Sequence, residues 1–543
     1  MRRLSPWSGL LLGVVTSLFV IAVLAVANAR ADLPFVPFEI FEWITRILPG
    51  GVITVGIDLM VSIISTLGIG STSVAAKLAE QGMAVALFVL GAAIAGAIIA
   101  AIVRGRSGSS RKRAGLIAGL AAGAVVLVVG TIASAAMHSL SIVGFVWIAI
   151  VLLGWGTLLG GAIVLRASVD DIPEERAERR RFLRMATIGT TTLSAILLGV
   201  ARLGRRGSTT NTASTRAARG SPIRERASVT ATSGPAVSPS PQVLANRISP
   251  VHGTRPEITA NDNFYRIDIN LQPPSIDPAT WRLDVGGMVD RPLRLSLDEL
   301  RAMPAVSQMI TLECISNRLG GDLISTSLWT GVPLAYVLQQ AGMRAAAKAV
   351  HIRAADGFYE SVGTADIRDP RTLLVYAMNS VPLPEAHGFP LRIYIPNRHG
   401  MKQPKWITEL RASDHDGPGY WVDRGWSKEA IPHTTSVIDT VGMSMMLGQA
   451  RVLPIGGIAY AGARGISKVE VQVDHGAWTE AMLVAPPLSP LTWVLWRYEW
   501  PYAPGKHTFL VRAYDGTGAL QPTREEPPHP DGVAGIHSLT TSV

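Results

Sequence analysis

Cys314 is the only cysteine in the 543-residue chain, so it can form no disulfide within the chain and serves either packing or chemistry. As packing it would be a small buried hydrophobe, the common fate of a lone cysteine. As chemistry it would act through its thiolate. The residues that follow, Ile315-Ser316-Asn317-Arg318-Leu319-Gly320-Gly321-Asp322, form a polar, glycine-rich turn, which suits presenting a sulfur better than burying one. Asn317, three residues past the thiol, can hydrogen-bond such a turn and orient the sulfur, although asparagine also serves ordinary turns in this way.

Regular elements must hold that turn. From Phe264 onward the chain breaks into short apolar runs separated by Pro, Gly and Asp. Trp281–Val285, Met309–Cys314, Ala349–Arg353 and Leu391–Ile395 read as strands. Ser296–Ala302 and Leu334–Gly342 read as helices, with Ser296 and Pro333 as start signals. This is an α+β pattern. After Pro432 the helical patterns stop. Lys468–Val473, Trp493–Trp500 and His507–Tyr514 alternate apolar and polar residues, with turns at Asp474-His475-Gly476 and Asp515-Gly516. That alternation predicts an immunoglobulin-like β-sandwich of about 100 residues.

The N-terminal part is a different material. Gly9–Asn28, Met83–Val103, Gly115–Met137, Leu140–Leu165 and Met185–Leu203 are each near the ~20 apolar residues a bilayer requires, so five spans are expected. Val52–Gly70 contains Asp58, and counting it as a sixth span would place the basic loop Arg104–Arg113 outside, against the positive-inside bias. It is read as an interfacial or re-entrant helix, and Phe35–Leu48 as interfacial. The N-terminus, 104–113 and 166–184 are then cytoplasmic, and the chain after Leu203 is extracytoplasmic. Arg179-Arg180-Arg181-Phe182-Leu183-Arg184 before the last span fits either a positive-inside anchor or an internal twin-arginine export signal, which serves proteins that fold around a cofactor before export. His138 is the only histidine among the spans, too few for a bis-histidine haem. Asp58 is the only acidic residue in a candidate membrane segment, which argues against transport. Residues 205–256, rich in Ser, Thr, Ala, Pro and Arg, read as a disordered linker. The formal charge of +10 resides in the first 256 residues, with 25 basic against 11 acidic, while 257–543 carry 25 against 29. The basic excess belongs to membrane flanks and linker, and no nucleic-acid partner is expected.

Six stretches in order carry a family resemblance: Ile276–Leu283, Leu312-Glu-Cys-Ile-Ser-Asn317, Ala377–Pro384, His387-Gly-Phe-Pro-Leu-Arg392, Lys405-Trp406 and Trp496–Trp500. Residues from about 262 to 543 resemble the sulfite-oxidase family of molybdenum enzymes, and with the helices the chain resembles its membrane-anchored bacterial branch. The resemblance implies a membrane region at 1–204, a molybdopterin-binding oxidoreductase domain at 257–431 and an immunoglobulin-like domain at 432–543. It implies Mo-molybdopterin as cofactor, with Cys314 as the thiolate ligand to molybdenum and His387, Arg392 and Lys405 holding the pterin and its phosphate. Tyr265, Arg266 and Asp356 match further cofactor-contacting loops, and Asn317 the turn beside the metal.

The chain departs from the family where substrate is received. The two positions at which sulfite oxidases place arginines hold Asp268 and Leu319, with Arg266 and Arg318 nearby. Tyr420–Trp426 has no clean equivalent of the family's catalytic tyrosine. The expected activity is therefore oxygen-atom transfer to or from a small substrate other than sulfite, with Asp268, Arg318 or Arg424 orienting it. Electrons would pass to or from a separate cytochrome or quinone-linked partner. The alternative is a non-catalytic, membrane-tethered binding module with a vestigial pterin pocket.

Overall fold

The computed structural model describes residues 5–31, 33–52, 55–56, 59–60, 63, 72–137, 141–169 and 247–543. The chain forms two compact units, Met1–Leu48 with Ala76–Glu225, and Pro49–Ala75 with Arg226–Val543.

The first unit is helical: α1 (Pro6–Ala31), α2 (Val36–Ile47), α3 (Thr72–Val103), α4 (Gly108–Met137) and α5 (Ile142–Val169). Four of these, all but α2, are long and apolar enough to cross a membrane. They correspond to four of the five expected spans. The helices do not all end where the apolar runs end, and α3 begins eleven residues before its expected start at Met83. On α3 that extension carries the Lys77–Glu80 ion pair at 2.8 Å. The short α2 matches the segment read as interfacial. The fifth expected span, the arginine stretch before it, His138 and Asp58 lie outside the described residues. Without a hydrophobic drive between helices in lipid, close backbone packing has to hold them. The α4–α5 seam supplies it: a methyl placed on Gly156 would lie 2.3 Å from the Gly119 carbonyl oxygen, and one on Gly160 2.2 Å from that of Gly115. Small residues four apart on both helices let the two backbones touch.

In the second unit the strands are β1 (Leu283–Gly287), β2 (Leu293–Leu295), β3 (Val306–Glu313), β4 (Ile324–Pro333), β5 (Ala349–Ala354), β6 (Tyr359–Gly363), β7 (Leu373–Met378), β8 (Val381–Pro382), β9 (Arg392–Tyr394) and β10 (Ile407–Ser413). One sheet runs β2-β1-β10-β5-β6, with β1 and β10 parallel and the rest antiparallel. The other runs β3-β4-β7-β8, with β9 also on β7. The faces turned toward each other share a core with helices α6 (Leu297–Ala302) and α7 (Leu334–Ala341), centred on Leu283, Val332, Val350, Ile393 and Leu410. Ser296 caps α6 in a full capping box with Glu299, as its position before the apolar run predicts. Pro333 precedes α7, and Gly342 ends it at φ +68°.

The remaining strands are β11 (Thr435–Val441), β12 (Met445–Leu447), β13 (Ala450–Tyr460), β14 (Ile466–Val473), β15 (Thr479–Glu480), β16 (Met482–Leu483), β17 (Val494–Pro501), β18 (Lys506–Asp515) and β19 (His537–Ser542). They form two antiparallel sheets, β11-β13-β17-β16 and β15-β14-β18-β19. Residues of both, among them Ile455, Trp496, Val471 and Phe509, meet in one core.

Candidate functional site

β3 is the edge of its sheet, and an edge strand needs cover. The segment between β16 and β17 provides it. The Thr311 amide donates to the Leu491 carbonyl at 3.0 Å, and Ser489 Oγ to the Met309 carbonyl at 2.5 Å. The Thr311 hydroxyl accepts from the Trp493 amide at 2.9 Å. Clamped on both sides, β3 delivers Cys314 at its end. The Cys314 amide donates to the Leu323 carbonyl at 2.9 Å, and its carbonyl accepts from the Asn317 amide at 3.0 Å.

Asn317 ties the turn shut. Its Nδ2 donates to Glu313 Oε1 at 3.0 Å and its Oδ1 accepts from the Leu323 amide at 3.0 Å, so one buried side chain joins the residues before and after the loop. The thiol lies 3.1 Å from Ser316 Oγ. Cys314 is buried in a cluster with Phe264, Tyr265, Ile310 and Leu312, and this burial pushes the thiol pKa up. The sequence of the turn predicts a presented sulfur rather than a buried one, whereas Cys314 is buried, because Phe264, Tyr265, Ile310 and Leu312 pack around it at the end of β3. Glu313 is buried as well, and desolvation pushes its carboxyl up to about 7. A cation at the sulfur would reverse the thiol's preference, because coordination deprotonates a thiol.

Around the cysteine the folding brings several of the sequence candidates together. Tyr265 stacks on Phe264 (centroids 5.5 Å apart), and its hydroxyl would lie 2.7 Å from a methyl on Gly400, whose backbone runs past Cys314. Burial first, then the Cys314 thiol, pushes that phenol well above its usual pKa. Arg392 begins β9 inside the protein. It donates to the His387 carbonyl at 3.1 Å, and its guanidinium lies 4.7 Å from the Trp329 ring centre. Burial lowers its pKa to about 10, and among the described residues no carboxylate forms an ion pair with it. His387 donates from Nε2–H to the Asn261 carbonyl at 2.9 Å, and burial lowers its pKa to about 4, so it is neutral at pH 7. Gly388, at φ +112°, lets the chain turn between them, since a methyl there would meet Cβ of Arg392 at 3.0 Å and of Lys405 at 3.1 Å.

Lys405 reaches the carbonyls of Ile267 and Ala386, each at 3.2 Å, and forms an ion pair with Asp268. Asp268 also accepts from Arg266, and its carboxylate is fully buried. Trp406, held at φ +54°, where a bulky side chain is strained, hydrogen-bonds Glu385 and lies 4.5 Å beneath the Lys405 ammonium. Arg266 and Lys405 thus share the Asp268 carboxylate, whereas Arg392 has no carboxylate partner among the described residues. An unpaired buried guanidinium is costly until an anion compensates it.

Other candidates stand apart from that cluster. Arg318 is half-buried within the cysteine turn, where its carbonyl accepts from the Gly321 amide at 2.8 Å. Asp356 is buried at the β5–β6 turn and caps the Phe358 amide at 3.0 Å. Arg424 lies 3.6 Å over the Tyr420 ring and bonds the Tyr420 carbonyl at 2.7 Å. Glu313 and Trp406 lie in stretches that carry the resemblance but have no role of their own in the sequence reading, and Trp329 is not singled out there. Trp329 has no sequence signal, because its contact with Arg392 depends on sheet pairing.

Residues 270–421 match the oxidoreductase molybdopterin binding domain. The chain is 30% identical over 156 residues to the uncharacterized oxidoreductase YuiH of Bacillus subtilis, covering 29% of this chain and 77% of that protein. The chain belongs to the sulfite-oxidase family of molybdopterin oxidoreductases. As a sulfite-oxidase-family protein it is also 27% identical over 320 residues to the mitochondrial sulfite oxidase of Mus musculus, covering 50% of this chain and 58% of that one. A putative protein-methionine-sulfoxide reductase subunit, YedZ1 of Azospira oryzae, is 34% identical over 152 residues, covering 28% of this chain and 56% of that one. The chain thus spans less than two thirds of the sulfite oxidase it matches. Membership implies Mo-molybdopterin as the cofactor of the matched domain. The residues present fit that group, with a sulfur donor on a shaped turn and a buried arginine, Arg392, that no described carboxylate pairs.

Proposed function

We propose that this is a membrane-anchored, extracytoplasmic oxidoreductase that moves an oxygen atom to or from a small substrate other than sulfite. The observation that carries the reading is the convergence of the Cys314 turn with buried Arg392, uncompensated by any described carboxylate. Cys314 supplies the protein's thiolate to the metal, and Asn317 fixes its direction. Arg392 and Lys405 hold the phosphate, with neutral His387 contributing a hydrogen bond beside them. The bound cofactor supplies two-electron oxygen-atom transfer. Tyr265 and Arg266 line the approach to Cys314 and Lys405, and Asp356 holds the β5–β6 turn.

Sulfite is disfavoured because the positions of its receiving arginines hold Asp268 and Leu319. The Asp268 carboxylate is engaged by Arg266 and Lys405, so a dianion gains no guanidinium at that point. Arg318, within the cysteine turn, orients substrate. The cofactor domain occupies 257–431, and the two C-terminal sheets at 432–543 form an immunoglobulin-like domain. Residues 205–256 link them to the membrane region at 1–204. Electrons pass through a separate cytochrome or quinone-linked partner.

The test is metal content and electron-spin resonance of the full chain, made in a host that synthesises molybdopterin. Wild type is expected to hold about one molybdenum per chain, consistent with a single thiolate-ligated site. Cys314→Ser is expected to shift the Mo(V) signal even where pterin contacts retain the metal. Well-folded wild type without molybdenum, or an unchanged signal in the variant, would overturn the assignment of Cys314.

A further inference from the structure

The hairpin joining β12 to β13 turns on Gly448 and Gln449, with Gly448 at φ +60°. Its residues are Gly442-Met443-Ser444-Met445-Met446-Leu447-Gly448. Met443 is 90% exposed, Met446 60%, Leu447 53% and Met445 43%. Among the described residues from 247 onward, other exposed large hydrophobics are scattered singly, which is ordinary for a protein surface. Four in five residues is not.

Their arrangement limits what can cover them. β12 pairs with β13 through Met445–Val452 and Leu447–Ala450, and successive side chains of a strand point to opposite faces. Three consecutive exposed apolar residues therefore leave both faces of the ribbon bare. A protein partner of ordinary shape would cover one face, whereas immersion in a fluid apolar phase covers both. Methionine suits that, being flexible and tolerant of irregular surroundings. At the root of the tip, Arg451 is exposed, holds Ser444 Oγ at 3.1 Å and stacks 4.4 Å from the Tyr502 ring centre. Arginine and tyrosine beside an apolar tip form the composition of a membrane–water boundary.

We infer that the Met443–Leu447 tip inserts into the lipid surface, giving the C-terminal sheets a second membrane contact besides the helices. The inference rests on the reading of the four long apolar helices as membrane spans, since a tethered domain meets that bilayer at high effective concentration. Sulfur chemistry plays no part in it, only apolar area and the flanking cation.

The experiment uses the full chain in phosphatidylcholine–phosphatidylglycerol proteoliposomes. A single reporter cysteine, Met445→Cys, is labelled with an environment-sensitive fluorophore, and Ala519→Cys, exposed on the β18–β19 connection, serves as the control. Wild type sets the background from buried Cys314. The expected result is a blue-shifted label at 445 that loses intensity to nitroxide lipids and resists iodide, while the label at 519 does the reverse. Adding Met446→Asp should return the 445 label to iodide. Iodide quenching at 445 on vesicle-retained protein would overturn the inference. Protection from both quenchers would also overturn it, because it would mean cover by protein. A carbonate wash separates the two readings: protein released by the wash sinks the membrane-anchored reading and this one with it, whereas failure of the tip alone leaves the chain in the vesicles.

Discussion

Replacing Asn317 with Ala removes the clasp on the cysteine turn without touching the sulfur. The side chain makes two buried hydrogen bonds, to Glu313 Oε1 and from the Leu323 amide, each 3.0 Å. Alanine leaves both partners in place without a bond, and a buried polar group stripped of its partner costs about 1–3 kcal/mol. The pair together gives about 2–6 kcal/mol, with the lower end applying if water reaches the loop. Because the Leu323 amide bonds directly to Asn317, the effect is local, and hydrogen exchange on peptides covering 314–325 is the suitable assay. Even about 2 kcal/mol of lost protection speeds exchange by roughly 30-fold. Peptides from β5 and β10, which lie in the other sheet, should exchange as in wild type. The same variant should broaden the Mo(V) signal, since a loosened turn no longer fixes the thiolate. If exchange at 314–325 stays within about threefold of wild type, a difference under 1 kcal/mol, then Asn317 does not hold the turn and the account of how the sulfur is positioned fails.

Arg392→Met should separate stability from cofactor loading. Removing an unpaired buried cation while keeping its volume should leave the urea midpoint of cofactor-free protein unchanged or raise it, by up to about 2 kcal/mol, while molybdenum and pterin content falls; a large loss of stability would show that the guanidinium is already compensated. A pH titration tests His387, whose pKa falls to about 4 on burial. The unfolded chain binds the proton first as pH drops, so the stability contributed by neutral His387 is full above pH 6.5 and is lost between pH 6.5 and 4, an effect of about 3 kcal/mol. His387→Gln should flatten the cofactor-free protein's urea midpoint over that window by one proton's worth, and an unchanged slope would mean that the imidazole is solvated.

The local grammar of the fold was legible in the sequence. Ser296 with Glu299, Pro333 before α7 and the turn at Asp474-His475 are signals that act within a few residues, so nothing distant could override them. The alternating pattern after Pro432 located β14, β17 and β18 to within a residue or two for the same reason. The site was legible only through its resemblance to a family. His387, Arg392 and Lys405 look like ordinary loop and surface residues when read singly. Only pairing between β7 and β9, and the turn at Gly388, draws them together. The engagement of Asp268 by Lys405 spans 137 residues, and no local pattern encodes a contact of that reach. Asp268 looked from the sequence like a group facing substrate, whereas its carboxylate is fully buried between two cations.

The parallel pairing of β1 with β10 bears on how the protein is made. Asp284 sits opposite Glu409, 125 residues later, and β10 separates β1 from β5. A growing chain therefore cannot assemble this sheet until it has passed Ser413, roughly 6–25 s of synthesis after β1 emerges at 5–20 residues per second. Cys314 is made 27 residues after Gly287 ends β1, well before the sheet can close, but Lys405 does not join it until near the end. The cradle thus has no partial form to which a cofactor could be committed early. A chain threaded through a membrane as it is made would expose an incomplete site on the far side, whereas one that folds first offers the whole site at once.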